Sequence, residues 1–274
     1  MAILTCGRRL AVLGLWLTVA LAGGRAGAAD LYWFGNGATV GGNGNWSAAG
    51  MTWSTTTPMA SITVWDPTRT GVFQAPAGTV TVTDMNIDAA AGLRFETNLY
   101  TITGGSVTLT GVSSVLNSLD VGAAATATSD AAIGGSAGLT KIGAGTFDLA
   151  ASNTYTGETV VEGGTLRISG STANAANTYV GYANGGTTLA IADGGTASSI
   201  SSYLAVVNTS SGNTATVSGI GSTWTNAGDL VIGYVGGSNA MTVSAGGASG
   251  TDNGFVGYDA ASATNSVLIT GAGS

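Results

Sequence analysis

Short runs in which apolar and polar residues alternate recur along this chain, most of them closed by glycine. "TLAIADGG" at 188–195 and "AMTVSAGG" at 240–247 show the pattern: strand residues, then a Gly-Gly corner. A period of two sends one side chain into a core and the next toward solvent. Glycine permits the positive-φ bends that corners need. The same pattern predicts strands within 78–84, 100–111, 117–122, 145–151 and 158–170. No amphipathic helical stretch follows residue 29. The chain is expected to be all-β, with short strands and tight turns.

The pattern also repeats at longer range. Residues 178–222 align with 230–274 without a gap, at an offset of 52. Gly181/Gly233, Tyr182/Tyr234, Gly195/Gly247, Asn213/Asn265 and Gly221/Gly273 are identical. Val180/Ile232, Ile191/Val243, Tyr203/Phe255, Leu204/Val256 and Val217/Ile269 keep apolar positions in register. Inside that period "VGY" at 180, "LAV" at 204, "IGY" at 232 and "VGY" at 256 recur at spacings of 24, 28 and 24. Units of roughly 20 to 30 residues are the size of one β-solenoid coil. From residue 78 onward there is room for roughly eight coils, a rod on the order of 40 Å long at about 4.8 Å per coil. By the first unit's pattern a counterpart of Trp224 is due two positions past Ser274. The second unit therefore reads as truncated, and the chain as a piece of something longer.

Residues 1–29 are expected to be a signal peptide. Arg8 and Arg9 precede the apolar run 10–22, and "GRAGAAD" offers cleavage after Ala28 or Ala29. A basic general-secretion leader explains "RRLAV" more simply than a twin-arginine signal does. Thirteen apolar residues are too few for a permanent span, and none follows, so the mature chain is expected to have no transmembrane segment. Cys6 should leave with the leader. The expected divisions are then an aromatic-rich cap at 30–77, coils at 78–177, and the two 52-residue units at 178–274.

Composition narrows the function. Charged residues make up 8% of the chain, against roughly 25% in an ordinary domain. The mature part keeps four bases (Arg69, Arg94, Lys141, Arg167) and all 14 acids, so its formal charge is 4 − 14 = −10. That disfavours nucleic acid and anionic lipid as partners. Histidine is absent and no cysteine survives maturation, which removes histidine- or cysteine-based catalysis and histidine or thiolate metal sites. No phosphate loop is present. No catalytic, cofactor-binding or metal-binding set is expected.

Two groups of residues invite a ligand. Asp84, Asp88 and Glu96, with Arg94, fall close together in sequence and admit a glycan-cleaving or calcium-binding groove; turn-stabilising aspartates are the simpler reading. Trp33, Trp46, Trp53 and Trp65 crowd into the segment 33–65. They are candidate ligand contacts, because indole faces stack on sugar rings. A solenoid must also cover its open end, and that cap is the preferred reading. Tyr182, Tyr234 and Tyr258, each following Gly181, Gly233 or Gly257, predict a ladder on one face. Structural stacking and a contact surface both remain open for it. Trp224 is expected to be structural.

Residues 138–169, "GLTKIGAGTFDLAASNTYTGETVVEGGTLRIS", resemble the autotransporter-associated β-strand repeat. The matching positions are Lys141, Gly143, Gly145, Thr146, Asn153, Thr154, Tyr155, Thr156, Gly157, Gly164, Thr165 and Leu166. Phe147 and Asp148 depart from the usual Leu and Thr. "GIGSTW", "DLVIG" and "SAGG" in the 52-residue units resemble the type V secretion and PEP-CTERM-associated repeat. These resemblances imply a right-handed parallel β-helix (β-solenoid) passenger, exported to the cell surface or outer membrane of a Gram-negative-type bacterium. They imply an outer-membrane β-barrel translocator as partner, beyond Ser274. An adhesin-like stalk meeting environmental or host glycans or proteins follows as the expected role. A PEP-CTERM-type surface protein, an enzyme whose catalytic residues lie further on, and a glycan-binding module built on the tryptophans are the alternatives.

Overall fold

The computed structural model describes residues 28–111, 117–173 and 175–274, and every helix-or-strand element among them is a strand. The leader residues 1–27 lie outside the described part. No helix among the described residues is long and apolar enough to cross a membrane.

Each coil visits three walls in turn. The first wall carries ten parallel strands, from Asp30–Trp33 through Leu139–Ile142 and Thr178–Val180 to Asn253–Val256. The second is a sheet of ten parallel strands running from Gly44–Trp46 to Ser266–Thr270. The third carries a three-stranded sheet (Ile87–Asp88, Ser106–Thr108, Ala132–Gly134) and a five-stranded one from Ser152–Asn153 to Ala248–Gly250. Parallel neighbours cannot be joined by a tight hairpin. Here the other two walls supply the return path that a helix supplies in ordinary parallel sheets. The expected parallel β-solenoid is what forms.

Alternation sets what lies inside. On the second wall, Phe147, Leu166, Leu189, Ala215 and Met241 stack in register and are buried. Thr146, Thr165, Thr188 and Thr214 form a neighbouring outward column, and the Thr188 and Thr214 hydroxyls lie 2.8 Å apart. On the first wall the inward column runs Leu119, Lys141, Val161, Val180, Leu204, Ile232. One lysine therefore stands where hydrophobic residues stand in every neighbouring coil.

The coil step explains the 52-residue period. On the second wall, partners in successive late coils are 26 residues apart. Around the first wall the steps alternate between 24 and 28. Two coils make one unit, because corners of two lengths alternate around a wall of constant step.

At the N-terminal end the topology changes. Trp53–Ser54 pairs antiparallel with both Asp30–Trp33 and Ile62–Thr63, while Asp30–Trp33 pairs parallel with Thr70–Phe73. The chain folds back across its own first coil, which places four indoles there.

Candidate functional site

The invariants of the 52-residue unit converge on one corner. Asn213 is buried, and its carboxamide lies within 2.4–2.5 Å of where a Cβ on Gly181 would sit. Gly181 has φ +68°, so the bend and the close approach both need glycine there. Ser210 donates to the Gly181 carbonyl at 2.6 Å and accepts from Asn213 Nδ2 at 2.9 Å. One unit later, Gly233, Ser262 and Asn265 repeat the arrangement at 2.6 and 2.7 Å. Between them stands Asn239, which comparison of the two units cannot find, because Thr187 is its counterpart. Asn239 Oδ1 accepts from Asn213 N and Nδ2, and Asn265 Oδ1 accepts from Asn239 N and Nδ2, all at 2.9–3.0 Å. The result is a buried carboxamide ladder, with each amide serving the coil below it.

The segment 138–169 builds a different corner. Lys141 is fully buried, and its Nζ donates to the carbonyls of Ile142 (2.6 Å), Gly143 (3.0 Å) and Gly163 (3.1 Å). The last belongs to the next coil, so the ammonium clasps two coils. Burial pushes the ammonium down to about 8, with Asp120 opposing. Gly143 (φ +73°), Gly145 and Gly164 let the corners of successive coils approach. Asn153 accepts from Ile133 N at 2.9 Å and donates to Ala151 and Ser171 carbonyls. The Tyr155 hydroxyl lies buried, 2.7 Å from Thr159 Oγ1. Thr154 and Thr156 use their backbone amides to hold the Ile133 and Gly135 carbonyls. A Cβ on Gly157 would sit 2.2 Å from the Gly138 nitrogen. Thr146 and Thr165 face outward, and Leu166 faces the core. Lys141, Asn153, Thr154, Thr156 and the four glycines thus join successive coils, whereas Tyr155 bonds within its own.

Lys141 gives a pH prediction. Between about 8 and its ordinary value of 10.5 the unfolded chain holds a proton that the folded chain has released, so stability rises with pH across that window. Tyr100 and Tyr155, pushed up to about 12 by burial, act oppositely above 10. Their contributions cancel when wild type is compared with Lys141→Met. The wild type should gain on the variant by up to about 1.4 kcal/mol per pH unit between pH 8 and 10.5, read from urea unfolding midpoints. A difference that stays flat across that range contradicts the assignment.

The tryptophans form one cluster. Trp33, Trp46 and Trp53 are fully buried and Trp65 nearly so. Trp53 lies 5.1, 5.4 and 4.7 Å from Trp33, Trp46 and Trp65, and 5.6 Å from Phe73. Trp33 donates to the Gly42 carbonyl and Trp65 to the Asp88 carbonyl. The indole N–H groups of Trp46 and Trp53 find no acceptor among the described residues. Their neighbours are largely edge-on rings, which suits the positive edge and negative face of an indole. Sugar stacking needs an open ring face, and burial leaves these rings none. Trp224 is likewise buried, in register between Ala197 and Ser249 on the third wall.

The acidic residues do not gather. Asp84 accepts from Ala48 N at 2.7 Å, and Asp88 accepts from the Thr110 hydroxyl on the third wall. Glu96 is on the first wall with Arg94, which also holds Asp30 at 2.6 Å. Among the described residues no three His, Cys, Asp or Glu side chains are placed to share a metal ion. Arg167 bridges Asp148 and Asp193 across three successive coils.

The tyrosines do gather. Tyr182, Tyr234 and Tyr258 follow first-wall strands at one corner, beside an outward strand column of Tyr179, Tyr203, Val231 and Phe255. Ring centroids are 5.7 Å apart for Tyr179–Tyr203, 5.7 Å for Tyr203–Tyr234 and 5.2 Å for Tyr234–Tyr258. Tyr179 and Tyr203 were recognisable only as strand residues.

Comparison with known proteins agrees with this architecture. Residues 139–168 match the model of the passenger-associated-transport-repeat. The chain is 34% identical over 170 residues to the adhesin BmaC autotransporter of Brucella suis biovar 1 (strain 1330). That match covers 59% of this chain and 5% of the relative, so the chain spans a small fraction of that protein's length. No solved structure matches. The matched repeat lies inside a parallel β-solenoid, and over 170 residues the chain is similar to part of an autotransporter adhesin.

Proposed function

We propose that the chain is part of an adhesin-like stalk, exported and held at the bacterial surface by a β-barrel translocator in cis. The observation that carries this reading is the passenger repeat at 139–168 acting as a coil-to-coil joint within an unbroken parallel stack. Its buried polar groups serve the next coil, and its outward columns are hydroxyl-rich. A rod of this kind works by display: it sets contact surfaces away from the cell, and repeated weak contacts add by multivalency. No catalytic step is assigned to the tract. The relative's name supports adhesion as the purpose of display.

Two measurements test the reading. Fused to an outer-membrane barrel, the chain should become accessible to antibody on intact cells. In solution, deleting residues 188–239, two coils, should shorten the longest dimension by about 10 Å in X-ray scattering. Retention inside the envelope, or a compact particle whose length ignores the deletion, overturns it.

A further inference from the structure

Four asparagines precede a glycine in this chain, at Asn36, Asn43, Asn184 and Asn253. The pairing matters chemically, because an unhindered glycine nitrogen can attack the carboxamide before it and close a cyclic imide. The fold treats the four differently. Asn36 Oδ1 accepts from Ala38 N and Thr39 N, and the Gly37 nitrogen is tied to the Phe34 carbonyl at 2.7 Å. Gly44 and Gly254 lie within strands paired to Thr79–Val82 and Asp229–Ile232. Gly185 is exposed and outside any strand, and its N–H makes no hydrogen bond among the described residues.

Asn184 also sits against an acid. Glu162, in the coil below, is buried at 7% exposure. Its Oε2 accepts from Asn184 N and Asn184 Nδ2, each at 3.0 Å, and its Oε1 accepts from Ala183 N at 2.9 Å. The corner does not demand this pair. One unit later the same corner is built from Val235, Gly236 and Gly237, and the Ala205 carbonyl takes the amides of Val235 and Gly236 at 3.0 and 3.1 Å. A backbone carbonyl there does what the carboxyl does at 183–184. Packing explains Gly185, since a Cβ there would lie 2.2 Å from the Ser211 carbonyl oxygen. It leaves the buried acid on a carboxamide unexplained.

The two halves are chemically complementary. Closing the imide expels ammonia, a poor leaving group unless it is protonated as it departs. Glu162 Oε2 lies within the hydrogen-bond reach of the departing nitrogen that general-acid catalysis needs. Burial pushes the Glu162 carboxyl up, against the pull of its amide donors. More of it therefore holds a proton near neutral pH than an exposed glutamate would.

We infer that Asn184 is a self-modification site, at which the Gly185 nitrogen closes on the Asn184 carboxamide with Glu162 as proton donor. The bond from Gly185 N to Asn184 Cγ forms, and the bond from Cγ to Nδ2 breaks. The Gly185 proton passes to solvent hydroxide, and Nδ2 leaves as ammonia with the Glu162 proton. Water then opens the imide at either carbonyl, giving aspartate or isoaspartate with no change of oxidation state. The new carboxylate stands beside Glu162, at the seam between the passenger repeat and the 52-residue units. The two acids repel and the Nδ2 donor is gone, so the seam loosens as the chain ages. This is a single event in the chain's own backbone, and it does not depend on the stalk reading.

The test is storage of the folded chain at neutral pH and physiological temperature, sampled by peptide mass spectrometry and an isoaspartate assay. Asn184 should convert at least about tenfold faster than Asn36, Asn43 and Asn253; in urea the four should become alike, since each precedes glycine. Glu162→Gln should slow Asn184 by about tenfold or more and leave the other three unchanged. A glutamate that merely holds the side chain still would give the opposite result, faster conversion on substitution. Protection of the Ala183 amide against hydrogen exchange should fall in the converted chain, and unchanged protection overturns the loosening. Conversion of Asn184 no faster than that of the other three, or equal or faster conversion in Glu162→Gln, overturns the site. If that variant does not fold, the ranking in the unsubstituted chain decides alone.

Discussion

Trp53→Ala lowers the stability of the N-terminal coils by about 3–5 kcal/mol, the range for removing a large aromatic from a packed core. Trp53 is fully buried and touches Trp33, Trp46, Trp65 and Phe73 at ring distances of 4.7–5.6 Å. Its strand is also the antiparallel joint between Asp30–Trp33 and Ile62–Thr63. The neighbouring indoles would border the cavity, and none can shift without leaving its own segment. In a stack each coil contacts only its neighbours, so the loss should be local. Urea unfolding followed by tryptophan emission should show an early phase for the N-terminal end, with the late coils unchanged. Losing less than about 1 kcal/mol, well below the usual cost of such a truncation, would show that the indoles do not close this end.

Asn239→Leu is the second large effect, expected to destabilise the late coils by about 3–5 kcal/mol. The substitution leaves Asn213 N and one Nδ2 hydrogen without an acceptor, and takes one of two donors from Asn265 Oδ1 and from the Gly236 and Gly237 carbonyls, which keep the residue-239 N–H, Ser262 Oγ and Gly212 N. Each unpaired buried group costs about 1–3 kcal/mol, offset in part by relaxation of the corner. Asn239 is fully enclosed, so water cannot replace the lost partners. Hydrogen exchange is the sharper measurement, since the Asn213 amide should lose protection by more than tenfold. Ser238→Ala, at the exposed neighbouring position, should stay within about 0.5 kcal/mol of wild type. If both variants behave alike, the carboxamides are not a ladder in solution.

The walls and the coil step were largely legible in the chain. Alternation at 188–192 and 240–244 marked strands that are strands, and the 24 and 28 spacings are the register of the first wall. Three features were not legible, each for a physical reason. Asn239 hides because the ladder follows the single coil, whereas residue identity follows the two-coil unit. Lys141 hides because alternation assigns a charged residue to the outside; only its three carbonyl acceptors make an inward ammonium tolerable. The tryptophans were conspicuous, but their accessibility depends on the fold-back at 53–63, which no local pattern announces.

The alternation of first-wall steps bears on how such a protein changes length. Copying or losing a single coil would keep the asparagine column in line. It would, however, set two like corners side by side. Copying two coils preserves every corner, the carboxamide column and the aromatic column together. Lineages of this solenoid should therefore lengthen and shorten in pairs of coils, with the reach of the rod as the variable under selection and its surface inherited unaltered.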